Sequence, residues 1–231
     1  MAETYPLTWN NEGERFYETG VKKTVLYLKE NKNAEQKPYA KGVAWNGVTS
    51  ISESPSGAEA TALYADDIKY LNLLSNEEFA ASIEAYTYPD EFAECDGSAL
   101  LVKGVTVGQQ TRSKFALAYK TTIGNDEAGN SLGYKLHIIY NCLAAPSEKA
   151  YNTINDSPEA ITFSWEISTT PVTFTVGGKE YSTACVTIDS RTADPTKLAT
   201  LEEKLFGGTD DLKKPTLVLP DEIYDTLKEG A

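Results

Sequence analysis

The sequence predicts a mainly β fold: a β-sandwich or partly closed barrel flanked by one or two α-helices, with extended hairpin loops and terminal arms. Three observations lead there. Apolar and polar residues alternate with period two over many short runs, as they do when a strand buries one face and wets the other. The chain is rich in Thr, Val, Ile and Tyr, with 14 tyrosines in 231 residues, and these types suit a pleated, half-buried surface. Only two segments carry helix-start and helix-stop chemistry, and many strands with so few helices point to a sandwich or barrel.

Taken in order, Met1 to Glu14 is polar and without periodicity, which reads as an arm. Single strands are expected over Val21 to Leu28, Val43 to Ser52 and Thr61 to Asn72. A clearer strand follows, with Phe79, Ala81, Ile83 and Ala85 facing one way and Ser82, Glu84 and Tyr86 the other. Pro89 and the acidic pair Asp90-Glu91 suit the first turn of a short helix through Cys95, ending before Gly97. A further strand is expected over Leu100 to Val107.

Phe115, Leu117 and Tyr119 alternate with Lys114, Ala116, Ala118 and Lys120. Tyr134, Leu136, Ile138, Tyr140 and Cys142 alternate with Lys135, His137, Ile139 and Asn141. Gly124 to Asn130 joins the two runs, so they form a long hairpin with a turn-rich tip. Ile161, Phe163, Trp165 and Ile167 alternate with Thr162, Ser164, Glu166 and Ser168 in another strand. Val172 to Val176 and Thr183 to Ile188 flank Gly177-Gly178-Lys179-Glu180, a second hairpin. Asp194-Pro195 supplies an N-cap and first-turn proline. Leu198, Leu201 and Leu205 then line one helix side until Gly207-Gly208. The tail beyond, with Pro215, Pro220 and a short amphipathic stretch at Ile223, Tyr224 and Leu227, reads as a second arm. Trp165, Tyr134, Phe163 and Tyr140 fall on apolar strand faces and are expected in the core, whereas Trp9 and Trp45 have no clear place.

Composition narrows function. The formal charge is −13 with no basic run, which is unsuited to gripping a nucleic-acid backbone. One histidine, His137, and three scattered cysteines give no zinc spacing and no Cys-x-x-Cys, so no metal or other cofactor is expected. No apolar stretch of ~18 residues marks a membrane anchor, and a protein made in the cytoplasm with reduced thiols is expected. Glu84, Asp90, Glu91, Glu94 and Glu166 could be paired on paper as a glycosidase site, but 34 acidic residues supply such pairs by chance. Solvated strand faces and helix N-termini are the plainer reading. Lys135, with Lys114 and Lys120 from the adjacent strand, is expected to make a small basic spot around His137. No catalytic constellation emerges, so the chain is expected not to be an enzyme. A domain with strand edges, long hairpins and arms reads more naturally as an assembly unit.

Several strings carry a resemblance. Gly42-Val43-Ala44-Trp45-Asn46-Gly47-Val48-Thr49, the run Ser52 to Glu59, Leu63-Tyr64-Ala65-Asp66-Asp67-Ile68-Lys69-Tyr70 and Glu84 to Phe92 are the first of them. Gly124-Asn125-Asp126, Gly133-Tyr134-Lys135-Leu136, Ala144-Ala145-Pro146-Ser147 and Asn155 to Glu166 continue it, over about residues 15 to 206. Together they resemble the major tail protein, or tail tube protein, of long-tailed, non-contractile bacteriophages. The resemblance implies a β-sandwich whose six copies form a ring, with rings stacked into a virion tail tube assembled in the host bacterial cytoplasm. Implied partners are other copies of the chain, a tape-measure protein in the lumen, and tail terminator and distal tail proteins. DNA would pass through without specific binding. It implies an N-terminal arm over 1–15, a tail-tube domain over 16–206 and a C-terminal arm over 207–231, without a further immunoglobulin-like module. A ring would carry 78 formal negative charges, six times the 13 of one chain, a field unfavourable to DNA within about 8 Å at physiological salt. Ser82, Glu84, Thr162, Ser164, Glu166 and Ser168 are expected to face the lumen. The segment Ser54, Pro55, Ser56, Gly57, Ala58 and Glu59, within a loop of about Ser50 to Asp67, is expected to reach the next ring. The tube of a contractile tail or related secretion system is a near neighbour of this reading. A carbohydrate-binding or adhesion module is the alternative class, and would display Trp9, Trp45 and several tyrosines on a flat exposed face.

Overall fold

The structure, a computed structural model, describes residues 7–29, 39, 41–154, 156, 159–208 and 214–228. The first part of the chain forms β1 (Tyr17–Leu28), β2 (Lys41–Ala44), β3 (Val48–Glu53), β4 (Ser56–Gly57), β5 (Ala60–Ala65), β6 (Ile68–Leu74), β7 (Glu77–Glu78) and β8 (Ala80–Ala85). A 3-10 turn over Asp90–Glu94 leads to β9 (Ala99–Val102), β10 (Val105–Val107), β11 (Phe115–Asn125) and β12 (Gly129–Ala144). Then come β13 (Phe163–Ser168), β14 (Val172–Val176), β15 (Lys179–Thr183), β16 (Cys185–Asp189), α1 (Pro195–Phe206) and α2 (Pro220–Leu227).

Three layers result. The central sheet runs β2-β1-β11-β12, with β16 on the far side of β12. An outer sheet, β13-β8-β3, joins it through the end of β12, where Leu143 and Ala144 pair with Ser168 and Ile167. The sheets do not close into a barrel; they pack as a sandwich with the helices on the opposite flank. Between the sheets lie Leu26, Phe115, Leu117, Ile139 and Cys142 from the central sheet against Ile83, Trp165 and Ile167 from the outer one, with Trp45 and Phe92. On its other face the central sheet presents Tyr27, Ala116, Ala118, Leu136, Ile138 and Tyr140 to Leu198, Leu201 and Leu205 of α1. Buried on both sides, β11 carries large side chains toward one layer and alanines toward the helix, which lets α1 come close.

The long hairpin, the strand Phe163–Ser168 and α1 form as expected. The second hairpin is tighter than expected: Val172–Val176 pairs with Lys179–Thr183 across Gly177-Gly178, and the run expected as its return strand is β16, which pairs with β12. Asp194 caps α1 through Oδ1, which accepts from the backbone N–H of Thr196 and Lys197 at 2.9 and 3.0 Å; such a cap contributes about 1 kcal/mol. Trp165 and Tyr140 are fully buried, and Phe163 and Tyr134 pack partly buried against the two clusters. Trp45 joins the core, its ring tilted against Phe92 and edge-on to Trp165.

Four further expectations are corrected. Val43 to Ser52, Thr61 to Asn72 and Leu100 to Val107 are each two strands. Each run is broken by a turn whose residues take positive φ: Gly47 at 78°, Asp66 and Asp67 at 51° and 61°, Gly104 at 84°. The Pro89 to Cys95 segment is a 3-10 turn with Phe92 as its buried anchor. Cys142 faces the inter-sheet core with Ile139, on the side opposite Tyr140, because Asn141 takes φ 47° and β12 spends three residues, Ile139 to Cys142, where β11 spends two, Phe115 to Leu117. That bulge resets the alternation. The tail is the fourth: Leu217, Val218, Pro220 and Ile223 are buried on the helix side of the central sheet, and Tyr140 donates to the Val218 carbonyl at 2.9 Å. Within segment 207–231, the stretch 217–223 therefore contributes to the core, while Lys214, Tyr224, Asp225 and Lys228 stay exposed. At the other end, residues 7–15 are mostly exposed but held, with Asn125 donating to the Gly13 carbonyl at 2.8 Å and Arg15 paired with Asp126 at 3.5 Å; Met1 to Pro6 lie outside the described residues.

Ending the chain at Gly208 should therefore destabilise the whole domain. In urea denaturation the Ile223→Ala variant alone is expected to lose about 2–4 kcal/mol. Unchanged stability of the shortened chain would show that this segment does not support the core.

Candidate functional site

The outer sheet has one buried and one open face. Ala81, Ile83 and Ala85 of β8, with Trp165 and Ile167 of β13, point inward, so the intervening residues point out. Register sets the outward rows: Ser52, Ser82 and Glu166 lie across from one another, as do Ser50, Glu84 and Ser164. Each glutamate faces serines on the neighbouring strand, which avoids the repulsion of like charges set directly opposite. Ser50 donates to Glu84 at 3.0 Å. The expected residues Ser82, Glu84, Ser164, Glu166 and Ser168 are thus brought onto one face. Thr162 lies just before β13 and is exposed. Missing from the sequence reading were Ser50 and Ser52, whose place depends on β3 pairing with β8.

A ribbon projects from the same sheet. Between β3 and β8 the chain runs out through β4 and β5, turns at Asp66-Asp67, and returns through β6 and β7. The expected contact segment is its base: Ser54 N–H bonds to the Ala80 carbonyl at 2.8 Å, Ser56-Gly57 pairs with Glu77-Glu78, and Glu59 N–H bonds to Ser75 Oγ at 3.2 Å. Gly57 has φ 86° and a Cβ there would lie 2.3 Å from the Asn76 carbonyl oxygen, so no other residue fits. Pro55 and Ala58 flank these pairs and are exposed. Farther out, Leu63, Tyr64, Ile68, Tyr70, Leu73 and Leu74 are exposed. Successive residues point to opposite faces, so the ribbon shows apolar side chains on both. The hairpin β9–β10 repeats the feature with Leu100, Leu101, Val102 and Val105.

Polar chemistry gathers at the root of the ribbon. The His137 ring stacks on Tyr119 at 4.8 Å, with Nε2 3.5 Å from Glu18 Oε1 and Nδ1 3.4 Å from Glu53 Oε1. Tyr119 donates to Glu53 at 2.5 Å, and Thr121 and Lys135 donate to Glu18 at 2.5 and 2.6 Å. The expected basic spot is absent, because carboxylates interleave the cations. Lys120 faces the other way, buried against Glu202 of α1 at 2.6 Å and over the Tyr134 ring, and Lys114 donates to Thr170 at 3.2 Å. The bond to His137 holds the Glu53 carboxyl below its ordinary value, with burial opposing and the Tyr119 hydroxyl helping. Burial would raise Glu18, but Lys135 and Thr121 outweigh it and hold it low.

Of the aromatic residues that a sugar-binding face would display, Trp45 is buried, whereas Trp9, Tyr64, Tyr70, Tyr86 and Tyr151 are exposed. A cavity of about 430 Å³ lined by Ala150, Asn152, Ile154, Glu159, Ile161 and Thr162 carries no aromatic ring among its lining. Among the described residues, no helix is long and apolar enough to cross a membrane.

No family model matches the chain, and no curated protein matches it. Among solved structures, a chain of the anti-feeding prophage baseplate, determined by cryo-electron microscopy with sixfold symmetry, is similar at 8% identity, over 79% of this chain and 97% of that one, with a TM-score of 0.37. A likeness that slight carries no argument about function.

The depressed carboxyls generate an acid limb. A group that binds its proton less readily folded than unfolded stabilises the fold above its unfolded pKa, about 4.3 for Glu, and loses that contribution as pH falls through the lower folded value. Thermal melts should therefore show stability falling below about pH 4, with a shallower fall in Glu53→Gln. An identical acid limb in the variant would remove Glu53 from the account.

Proposed function

We propose that this chain is a structural subunit of a phage tail that self-assembles into stacked hexameric rings, forming an acidic conduit for DNA. The observation that carries self-assembly is the ribbon between β3 and β8. A lone two-stranded hairpin is marginal in water, and this one exposes apolar residues on both faces, so its stable state is one enclosed by other chains. Each leucine-sized side chain fully buried on docking contributes about 1.5–3 kcal/mol, and several are available against an association cost of about 4–15 kcal/mol. Among the described residues no strand pairs with the outer edge of β3, which suits strand pairing between neighbours.

Sixfold symmetry, the tape-measure protein, and the tail terminator and distal tail partners come from the sequence resemblance. In this reading the serine and glutamate face of the outer sheet lines the bore. Short side chains leave the passage open, and Glu84 and Glu166 repel phosphate without offering a donor. The role is structural, with no catalytic step and no cofactor, and belongs in the virion tail.

Negative-stain microscopy of the purified protein should show rings or rods with sixfold symmetry; a strict monomer at every concentration overturns the reading. The double variant Ile68→Asp, Leu74→Asp is expected to lose the rods while its stability changes by only about 0.5 kcal/mol. Rods assembled from Glu84→Lys, Glu166→Lys should retain DNA in a salt-dependent way where the native rods do not; equal retention would remove this face from the bore.

A further inference from the structure

We propose that the ribbon of one copy of this chain docks, face against face, on the β9–β10 hairpin of another. The pairing supplies a partner surface for the assembly proposed above, and rests on that reading for the choice of a second copy as occupant.

Both elements are two-stranded, and neither is covered within its own chain. Leu100 and Leu101 of the hairpin are 69 and 68% exposed, and Ile68 and Leu74 of the ribbon 64 and 71%. They are rooted at different places. The ribbon joins β8 at Ala80, whose carbonyl accepts from the Ser54 N–H at 2.8 Å. The hairpin follows the 3-10 turn beyond the other end of β8, where Asp96 accepts from Trp165 Nε1 of β13 at 3.0 Å and the Gln110 N–H bonds to the Gly97 carbonyl at 2.9 Å.

Charge selects among the pairings open to these two elements. Residues 54–78 carry Glu59, Asp66, Asp67, Glu77 and Glu78 against Lys69, five carboxylates and one lysine, so ribbon on ribbon sets a net −4 against another −4. Residues 99–107 carry one charge, Lys103 at the turn, so hairpin on hairpin sets like charges together as well. Only hairpin on ribbon brings opposite signs within the screening distance of about 8 Å.

Backbone irregularity selects the mode. The hairpin ladder pairs Val102 with Val105 and Leu100 with Thr106, which leaves Leu101 as an extra residue, and the ribbon ladder shifts register between Leu63 and Tyr64. Bulged edges resist the addition of a further strand. The two elements therefore meet through their faces, where the apolar side chains are. Because ribbon and hairpin are different surfaces of one chain, the contact is head-to-tail: each copy gives its ribbon to one neighbour and its hairpin to another. Such contacts close into rings or continue as stacks.

Cross-linking between copies tests this. The full chain is prepared as Ile68→Cys and, separately, as Leu101→Cys; the two are mixed and treated with a flexible bismaleimide. Both positions are exposed, so the fold tolerates either change, and the native chain, with Cys95 and Cys142 buried, sets the background. Mixed dimers holding one copy of each variant should exceed the dimers of either variant alone severalfold. Adding Lys103→Glu to the hairpin variant should lower that yield severalfold at low salt and less at high salt, because the new charge faces the ribbon's carboxylates. A yield that Lys103→Glu leaves unchanged at low salt overturns the pairing. So do dimers of Ile68→Cys with itself alone, or no cross-link at all where rods of sixfold symmetry still form, and both of these leave the tube reading standing. Mixed dimers without rings or rods sustain the pairing and overturn the tube reading.

Discussion

The architecture depends on one strand serving two sheets. β12 runs for 16 residues, pairing with β11 along most of its length, with β16 from Lys135 to Ile139 and with β13 only at its last two residues. To pass from one sheet to the other it must bend, and it does so at Asn141. Asparagine tolerates the left-handed conformation better than other non-glycine residues, and its side chain locks the bend, accepting from Tyr39 at 2.7 Å and donating to the Thr170 carbonyl at 3.1 Å. Beyond the bulge the inward face is the former outward one. Ile139 and Cys142 therefore serve the inter-sheet core while Leu136, Ile138 and Tyr140 serve the helix side.

That bend explains what could and could not be read from sequence. Local signals were legible where one residue type has one physical use: the Asp194 cap, the leucine stripe of α1, and the alternation that places Ser82, Glu84, Ser164 and Glu166 on one face. The side occupied by Cys142 was hidden because period-two logic counts residues and a bulge adds one. The three runs expected as single strands concealed turns, since Asp66-Asp67, Lys103-Gly104 and Asn46-Gly47 sit within apolar stretches that alternate on both sides. The tail misled through composition. Prolines and charges dominate it, yet three apolar residues, Leu217, Val218 and Ile223, join the cluster on the sheet face that α1 also covers. Of the polar node, only His137 and Lys135 could be read, because its carboxylates come from β1 and β3, far away in sequence.

An exposed ribbon with apolar faces is also an aggregation hazard, and its construction limits that hazard. The pairs β4 and β7 are two residues long, Pro55 interrupts the outgoing strand, Gly57 twists it, and Glu77-Glu78 and Asp66-Asp67 charge the base and the tip. Pairing along its edges is thus broken into short pieces, while the broad faces between remain available. Such a ribbon favours lateral packing into a shaped site over open-ended strand addition.

The same geometry gives the root of the ribbon leverage. Seven residues of β6 at ~3.3 Å each span about 23 Å, and the full reach from Ser54 to Asp66 is longer. A rotation of about 5° at Glu53 displaces a point 23 Å away by roughly 2 Å. Close-packed apolar contacts lose much of their dispersion energy over half that distance, so docking by this ribbon is only as specific as its root is rigid. Rigidity there cannot come from the apolar core, because Glu53 lies at its margin and is 37% exposed. It comes from directional polar contacts: the β3–β8 ladder that ends at Glu53 and Ala81, the Ser54 N–H bond to the Ala80 carbonyl, and Tyr119 and His137 on the Glu53 carboxylate.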